Sequence, residues 1–178
     1  MELTEKTLSS TTLYEGRVVT LKKDEIELPN GEKSFREAIH NSGGACVLAV
    51  CDGYVYFVKQ FRYPYKKVLT EIPAGKINDG ESPMACALRE LEEETGLIAD
   101  RLELMHRIYP TPAYTDEVIY IYLAKGVKKG TMKLDNDEFL NVEKIPVKKI
   151  PELLSRGGIN DAKTLIALYT ALYNGELK

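Results

Sequence analysis

The sequence has little cysteine and no tryptophan: three cysteines, Cys46, Cys51 and Cys86, occur among 178 residues. Three scattered cysteines exclude a disulfide framework or a cysteine-based zinc site. Cys46 and Cys51 lie in an apolar run and Cys86 in a predicted helix, so we expect buried thiols. No apolar run approaches the ~18–20 residues that cross a bilayer, and the N-terminus carries no apolar signal core. These absences predict a cytoplasmic protein that does not enter the membrane.

An excess of one charge is also missing. The 24 lysines and arginines nearly balance the 27 aspartates and glutamates, giving a net charge of -3. Such a balance gives no support to nonspecific nucleic-acid binding, so no nucleic-acid partner is predicted. Charged residues at 29% and hydrophobic residues at 44% are typical of a globular protein. The length fits one domain with a short appended element.

The chain is organised around residues 71–97, which contain a predicted helix over residues 83–95. Ser82 has the position of an N-cap, and Pro83 that of the first helical residue, where its missing N–H costs nothing. Gly96 stands where a left-handed C-terminal cap falls. At ~100° per residue, one apolar stripe of this helix is predicted to face the core. The stripe consists of Met84, Ala87, Leu88, Leu91 and Thr95.

Three glutamates, Glu90, Glu93 and Glu94, share the flank beside this stripe. Glu90 and Glu94 lie one above the other, and like charges at that spacing oppose the helix by roughly 0.2–0.5 kcal/mol per pair. Arg89 offsets part of this repulsion by reaching Glu93. A solvated acidic face shows the same pattern, but a bound divalent cation would also relieve the repulsion, and oxygen ligands suit Mg²⁺ or Mn²⁺.

The loop before the helix contributes to the same hypothesis. Gly75 lets the backbone approach a ligand closely, and the carbonyl of Ala74 offers a neutral oxygen beside Glu90 and Glu94. We therefore predict Ala74, Glu90 and Glu94 as primary metal ligands and Glu93 as the ligand of a second ion. Glu81, near the helix start, supports either the metal site or the fold.

The spacing of these residues resembles the Nudix box at every fixed position. The matching residues are Gly75, Glu81, Arg89, Glu90, Leu91, Glu93, Glu94, Gly96 and Leu97. The resemblance implies an α/β fold, the Nudix α/β/α sandwich around a mixed β-sheet. Strands are predicted over residues 45–51, 54–60, 102–109, 117–124 and 142–147, helices over 148–156 and 162–173, and a mobile loop over 125–136.

Flanking segments resemble the ADP-ribose pyrophosphatase branch of the Nudix hydrolases. They are residues 60–64 (QFRYP), 71–75 (EIPAG), 114–117 (YTDE), 161–164 (DAKT) and Pro112; the chain departs from the family's frequent Pro-Gly at Pro112-Ala113. The resemblance implies hydrolysis of the pyrophosphate of ADP-ribose, or a related ADP-sugar, to AMP and a sugar 5-phosphate with Mg²⁺ or Mn²⁺. Other nucleoside diphosphate derivatives (a GDP-sugar, a dinucleoside polyphosphate, a damaged nucleotide) and a non-catalytic nucleotide sensor remain the alternatives.

The resemblance also implies roles for single residues. Arg62, Arg36 and Glu71 are expected at the substrate. The two arginines suit this role because their guanidinium fork can bind phosphate or ribose. Glu138, with Asp137 as runner-up, is the expected general base on a loop. Arg89 and Glu93 complete the expected catalytic set.

Residues 1–40 read as an antiparallel β-arm with few large apolar side chains, and residues 41–178 as the Nudix domain. An arm this thin must pack on the main domain or on a second chain. By the resemblance, it forms a homodimer in which it crosses to the partner. Tyr14 and Phe35 are candidates for contacting adenine, although a buried strand aromatic is the simpler interpretation of each.

Overall fold

The computed structural model describes residues 3–133 and 139–177 and contains two compact units. One unit lies within Met1–Gly43 and Tyr109–Val118, and the other within Gly44–Ile108 and Ile119–Lys178. In the part of the chain that is described, no helix is both long and apolar enough to span a membrane.

The first unit is an antiparallel sheet of three consecutive strands. They are β1 (Lys6–Glu15), β2 (Thr20–Glu27) and β3 (Lys33–His40), paired in that order. Gly31, at φ +83°, closes the turn between β2 and β3, as Pro-Asn-Gly predicted. The segment 109–118 joins this unit through β3, because the Ile39 N–H donates to the Tyr114 carbonyl at 2.7 Å. Every residue of β1 is exposed.

Among its described residues, the second unit contains ten strands and three α-helices. In chain order they are β4 (Gly44–Leu48), β5 (Val50–Cys51), β6 (Tyr54–Arg62), β7 (Lys67–Glu71), β8 (Ala74–Lys76), α1 (Pro83–Thr95), β9 (Leu97–Ile98), β10 (Arg101–Ile108), β11 (Ile119–Lys125), β12 (Lys128–Lys129), β13 (Leu140–Pro146), α2 (Ile150–Ser155) and α3 (Ala162–Tyr173). The main sheet has the order β10-β11-β4-β8, with β11 and β4 parallel and the other pairs antiparallel. A second sheet has the order β13-β6-β5, and β7 also pairs with β6.

Strand β4 lies at the centre of the core, because its two faces contact different helices. Ala45 and Val47 belong to the apolar cluster that includes Leu91 of α1. Cys46 and Leu48, which point to the opposite face, belong to the cluster that includes Leu168 of α3. The alternation places one helix on each side of a mixed sheet, so the predicted α/β/α sandwich is confirmed.

The ends of α1 agree with the prediction, but its buried face agrees only in part. The Ser82 Oγ accepts a hydrogen bond from the Ala85 N–H at 3.1 Å, and Gly96 at φ +66° ends the helix. The predicted core residues Met84 and Leu88 are 45% and 38% exposed. Ala87 and Leu91 of the predicted stripe are buried as expected, and the helix also buries Cys86, Glu90 and Glu94, which the stripe did not include.

This rotation of α1 has a physical basis in contacts that helical periodicity does not include. The small side chains of Cys86 and Ala87 let the helix lie close to β4 and β8. The Ala74 N–H and the Arg89 guanidinium bind the carboxylates that turn inward, which offsets the cost of burying them. The helix therefore directs two acids toward the sheet together with Ala87 and Leu91, and leaves Met84 and Leu88 partly exposed.

The predicted loop over residues 125–136 contains a short strand. Strand β12 pairs antiparallel with β9, which directly follows α1, with Lys128 opposite Ile98. The Gly130 N–H then donates to the Gly96 carbonyl at 2.6 Å. This part of the chain is thus tied to the C-terminal end of α1. The prediction of a loop was wrong for Lys128–Lys129, and residues 134–136 lie outside the described residues.

Candidate active site

Two buried carboxylates form the centre of the candidate site. Glu90 and Glu94 are 5% and 2% exposed. One oxygen of Glu94, Oε2, accepts a hydrogen bond from the Ala74 N–H at 2.8 Å, which ties the helix to the first residue of β8. Glu90 Oε1 accepts from Arg89 Nη1 at 2.5 Å. Ala74, Glu90 and Glu94, the predicted primary ligands, therefore lie together.

Arg89 connects the remaining acids of the site. Its Nε donates to Glu81 Oε1 at 2.9 Å, and its Nη1 donates to Glu93 Oε2, also at 2.9 Å. The hydrogen bond to Glu81 is the main reason why the pKa of Arg89 is raised, and the same bond lowers the pKa of Glu81. One guanidinium thus orients three carboxylates; we call Glu81, Arg89, Glu90, Glu93 and Glu94 the acidic site.

Gly75 leaves the space that the carboxylate of Glu90 occupies. A Cβ atom at this position would lie 1.8 Å from Glu90 Oε1 and 2.0 Å from its Cδ. Strand β8 holds Gly75 opposite Ala45 of β4, so the backbone cannot simply move away. The predicted close approach at this glycine is therefore made by a side chain of α1.

The donor set fits a hard divalent cation. The acidic site contains four carboxylates and one arginine, which pairs with three of them, and two of the carboxylates are buried. This composition leaves an excess of negative charge where solvent screens poorly. Within residues 3–133 and 139–177, no group of three or more acidic, histidine or cysteine side chains is arranged to hold a metal ion. Magnesium does not require one, because it keeps several waters and binds one or two carboxylates together with substrate phosphates.

A second cluster lies at the end of β7 and the start of α3. Glu71, which is 2% exposed, accepts two hydrogen bonds from Arg62, Nε to Oε1 at 2.7 Å and Nη2 to Oε2 at 2.8 Å. Lys163 also binds Glu71 Oε2 and donates to Asp161 Oδ1 at 2.9 Å. We call Arg62, Glu71, Asp161 and Lys163 the Glu71 cluster.

The Glu71 cluster is anchored to the backbone by the N-cap of α3. Asp161 Oδ2 accepts from the Thr164 N–H at 3.0 Å and from the Thr164 hydroxyl at 2.6 Å. That hydroxyl oxygen accepts from the Ile72 N–H at 2.9 Å. Asp161 caps a helix over Ala162–Tyr173, as predicted. Only Ile72 and Pro73 lie between Glu71 and Ala74, so one short segment links the Glu71 cluster to the acidic site.

The sequence predicts Arg62 and Glu71 as substrate residues but does not single out Lys163. The available signal was the DAKT segment, which places a lysine at the second position of a helix where it adds nothing to the apolar face. Lys163 lies 92 residues from Glu71 in the chain. The pairing depends on tertiary structure that no local pattern contains.

Burial and neighbouring charges shift the pKa of Glu71 in opposite directions. Burial by itself would raise the pKa of its carboxyl group, but the hydrogen bonds from Arg62 and the charge of Lys163 outweigh burial. The net result lowers the pKa of Glu71 to about 2. A carboxyl group with a lowered pKa contributes stability that is complete above its unfolded-state pKa and is lost as the pH falls toward the folded-state pKa.

We therefore expect Glu71→Gln to change the acid stability of the protein. At neutral pH the wild type should have a larger free energy of unfolding than the variant. This difference should become smaller by roughly 2–3 kcal/mol when the pH is lowered to about 2. Urea denaturation at a series of pH values measures the difference. Glu152→Gln, which removes an exposed pair with Arg156, should show no comparable narrowing. A wild-type advantage that stays constant with pH would contradict the expectation.

The other predicted residues lie outside these two clusters. Arg36 belongs to the first unit, where its Nε donates to Glu5 Oε2 at 3.0 Å. Tyr14 and Phe35 are 59% and 58% exposed, so the interpretation of either as a buried strand aromatic was wrong. The strands that carry them have too few packed neighbours to bury an aromatic ring. Glu138 and Asp137 lie outside the described residues.

Comparison with known proteins identifies two matching family models. Residues 40–168 match the NUDIX domain, and residues 5–39 match the nucleoside diphosphate sugar hydrolase N-terminal domain. The chain is 40% identical over 169 residues to the ADP-ribose pyrophosphatase of Bacillus subtilis, covering 93% of this chain and 91% of that protein.

Two further similarities extend over most of the chain. It is 39% identical over 167 residues to the methanol dehydrogenase activator of Bacillus methanolicus, covering 92% of this chain and 90% of the relative. A crystal structure of an ADP compounds hydrolase superimposes with a TM-score of 0.86 at 21% identity, covering 99% and 98% of the two chains. That similarity supports the fold. The chain therefore belongs to the Nudix hydrolase family and is a Nudix pyrophosphohydrolase.

Proposed function

We propose that the protein hydrolyses the pyrophosphate bond of ADP-ribose, or of a closely related ADP-sugar, to AMP and a sugar 5-phosphate. The main support is the burial of Glu90 against Gly75 and of Glu94 at the N–H of Ala74, both in the second half of α1. Burying two acids costs free energy that a purely structural helix would avoid, since an apolar side chain would fill the same space more favourably. The similarity to an ADP-ribose pyrophosphatase over nearly the whole chain supports the choice of substrate.

The acidic site is proposed to hold Mg²⁺, with Mn²⁺ as a substitute. Glu90, Glu94 and the carbonyl of Ala74 are the proposed primary ligands, and Glu93 the ligand of a second ion. Ions bound there would neutralise the diphosphate and favour attack by water on phosphorus. Arg89 keeps the carboxylates of Glu81, Glu90 and Glu93 oriented.

The Glu71 cluster is proposed to bind the substrate through Arg62. The side chain of Arg62 is 37% exposed although its partner Glu71 is buried, so part of the guanidinium faces outward. Its two hydrogen bonds to Glu71 use Nε and Nη2. The remaining N–H groups can donate to a phosphate or a ribose hydroxyl.

We also propose a homodimer formed through residues 1–40, with Nudix chemistry confined to residues 41–178. The support is the exposure of β1 along its whole length together with exposed Tyr14 and Phe35. Arg36 is the proposed substrate contact from the partner's arm. Glu138 is the proposed general base, and Asp137 its alternative.

A substrate panel tests the proposed reaction. The purified chain is assayed with Mg²⁺ on ADP-ribose, a GDP-sugar, a dinucleoside polyphosphate and an oxidised nucleoside triphosphate, with chromatography of the products. We expect AMP and ribose 5-phosphate from ADP-ribose, at a kcat/KM about tenfold or more above that of the other substrates. Faster hydrolysis of the GDP-sugar would move the assignment to that substrate. Tight ADP-ribose binding without turnover would indicate a sensor.

The similarity to a methanol dehydrogenase activator favours a second candidate function, the activation of a dehydrogenase. The two functions are separable in one experiment. The chain is added to a methanol dehydrogenase, and both methanol oxidation and AMP release are followed. Faster oxidation would support the second candidate, and the Glu94→Gln variant shows whether activation needs the acidic site.

A further inference from the structure

Lys163 occupies an unusual position for a lysine. Its side chain is only 11% exposed, and it lies at the second residue of α3 between two carboxylates, those of Glu71 and Asp161. Burial lowers the pKa of Lys163, but the charges of Asp161 and Glu71 outweigh burial and raise it, so the ammonium group stays charged. Stability alone gives little reason for this arrangement, because well-packed apolar side chains often replace buried ion pairs without loss.

Glu71 is bound by two cations, although one would neutralise it. Arg62 approaches both carboxylate oxygens, and Lys163 shares Oε2 with it from the buried side. Arg62 is the most exposed member of the cluster, and its Nη1 makes no hydrogen bond to any other described residue. The cluster is therefore asymmetric. Lys163 is its buried cation, and Arg62 is its partly exposed cation, with the Nη1 group available to a ligand.

We propose that Lys163 is a positioning residue for diphosphate binding, which acts through Glu71 on Arg62. Lys163 fixes the carboxylate in the plane that Arg62 needs for its two hydrogen bonds. It also takes up part of the negative charge of Glu71, so that Arg62 keeps more of its own charge for the substrate phosphate. The inference rests on the proposed function of Arg62 as a phosphate-binding side chain.

The proposal predicts an effect on substrate affinity more than on the chemical step. In Lys163→Met, Glu71 would direct its whole charge at Arg62 and would be free to rotate. We expect KM for ADP-ribose to rise about fivefold to tenfold, with kcat changed less than about twofold. The Kd for ADP, measured by calorimetry without metal, should rise by the same factor. Lys129→Met is the matched control, because Lys129 forms an exposed pair with Asp52.

A double-mutant cycle with Glu71→Gln separates positioning from a general structural role. If Lys163 acts only through Glu71, adding Lys163→Met to the Glu71→Gln background leaves KM and the Kd for ADP unchanged. If Lys163 merely supports the fold, the two effects add. If the single variant Lys163→Met does not fold, the comparison of Glu71→Gln with Glu71→Gln/Lys163→Met still tests the inference, because neither of these variants carries the Glu71 charge through which Lys163 is proposed to act.

Three results would overturn the inference: an unchanged KM and Kd in folded Lys163→Met, additive effects in the cycle, or no measurable ADP binding by the wild type. Failure of the proposed function has a different signature. If the wild type does not hydrolyse ADP-ribose but ADP binding weakens in Lys163→Met and the cycle shows coupling, the proposed reaction fails and the positioning role stands. If hydrolysis is normal but the cycle is additive, only the positioning role fails.

Discussion

Glu94→Gln is expected to reduce Mg²⁺-dependent turnover of ADP-ribose by roughly 100-fold or more, corresponding to at least about 3 kcal/mol of transition-state stabilisation. The substitution keeps the size of the side chain and one oxygen that can accept from the Ala74 N–H. It removes the negative charge from a group that is only 2% exposed. The loss should therefore fall on activity, while the melting temperature stays the same or rises.

Glu92→Gln provides the matched control for this prediction. Glu92 lies on the same helix and is partly buried, but it is not part of the acidic site. The control should keep wild-type kcat and KM. Steady-state kinetics over a range of Mg²⁺ concentrations measure both variants. Wild-type turnover by folded Glu94→Gln would remove Glu94 from the metal assignment.

Gly75→Ala is expected to have the second large effect, a loss of turnover of roughly 100-fold in a protein that still folds. The added methyl group would lie 1.8 Å from Glu90 Oε1, so the carboxylate must leave its place. Because the displaced atoms are the far end of a flexible side chain, the movement need not break the pairing of β4 with β8. The site would lose one oriented acid while the sheet is retained.

Gly53→Ala separates this effect from the general cost of replacing a glycine. Gly53 lies in the turn between β5 and β6 at φ +79°, and nothing lies within 4 Å of the added methyl group. This control should lose about 1 kcal/mol of stability through backbone strain and keep its activity. Thermal unfolding and kcat/KM are measured for both variants. Full activity of Gly75→Ala would show that the placement of Glu90 is not required.

The parts of the fold that follow from neighbouring residues could be predicted. Ser82, Gly96 and Asp161 were recognised because a helix cap is determined by a few adjacent positions. The double burial of β4 followed from an unbroken apolar run. The spacing of the glutamates on α1 was also sufficient to place them together.

The parts that depend on distant contacts could not be predicted. The rotation of α1, which exposes Met84 and Leu88, depends on how closely β8 approaches the helix. Hydrophobic periodicity assigns every apolar residue to the core and contains no information about which acids the sheet can accommodate. The contact of Lys163 with Glu71 likewise joins two segments that only the folded chain brings together.

The ion pairs of Arg89 also affect how the newly made chain folds. Because its guanidinium contacts Glu81, Glu90 and Glu93, the crowded acids carry their own counter-charge from the moment α1 forms. Zinc fingers differ in this respect, since they stay unfolded until their ion arrives. Here we expect the chain to fold during synthesis without a bound divalent cation. Cations should then bind to and dissociate from the folded protein without unfolding it.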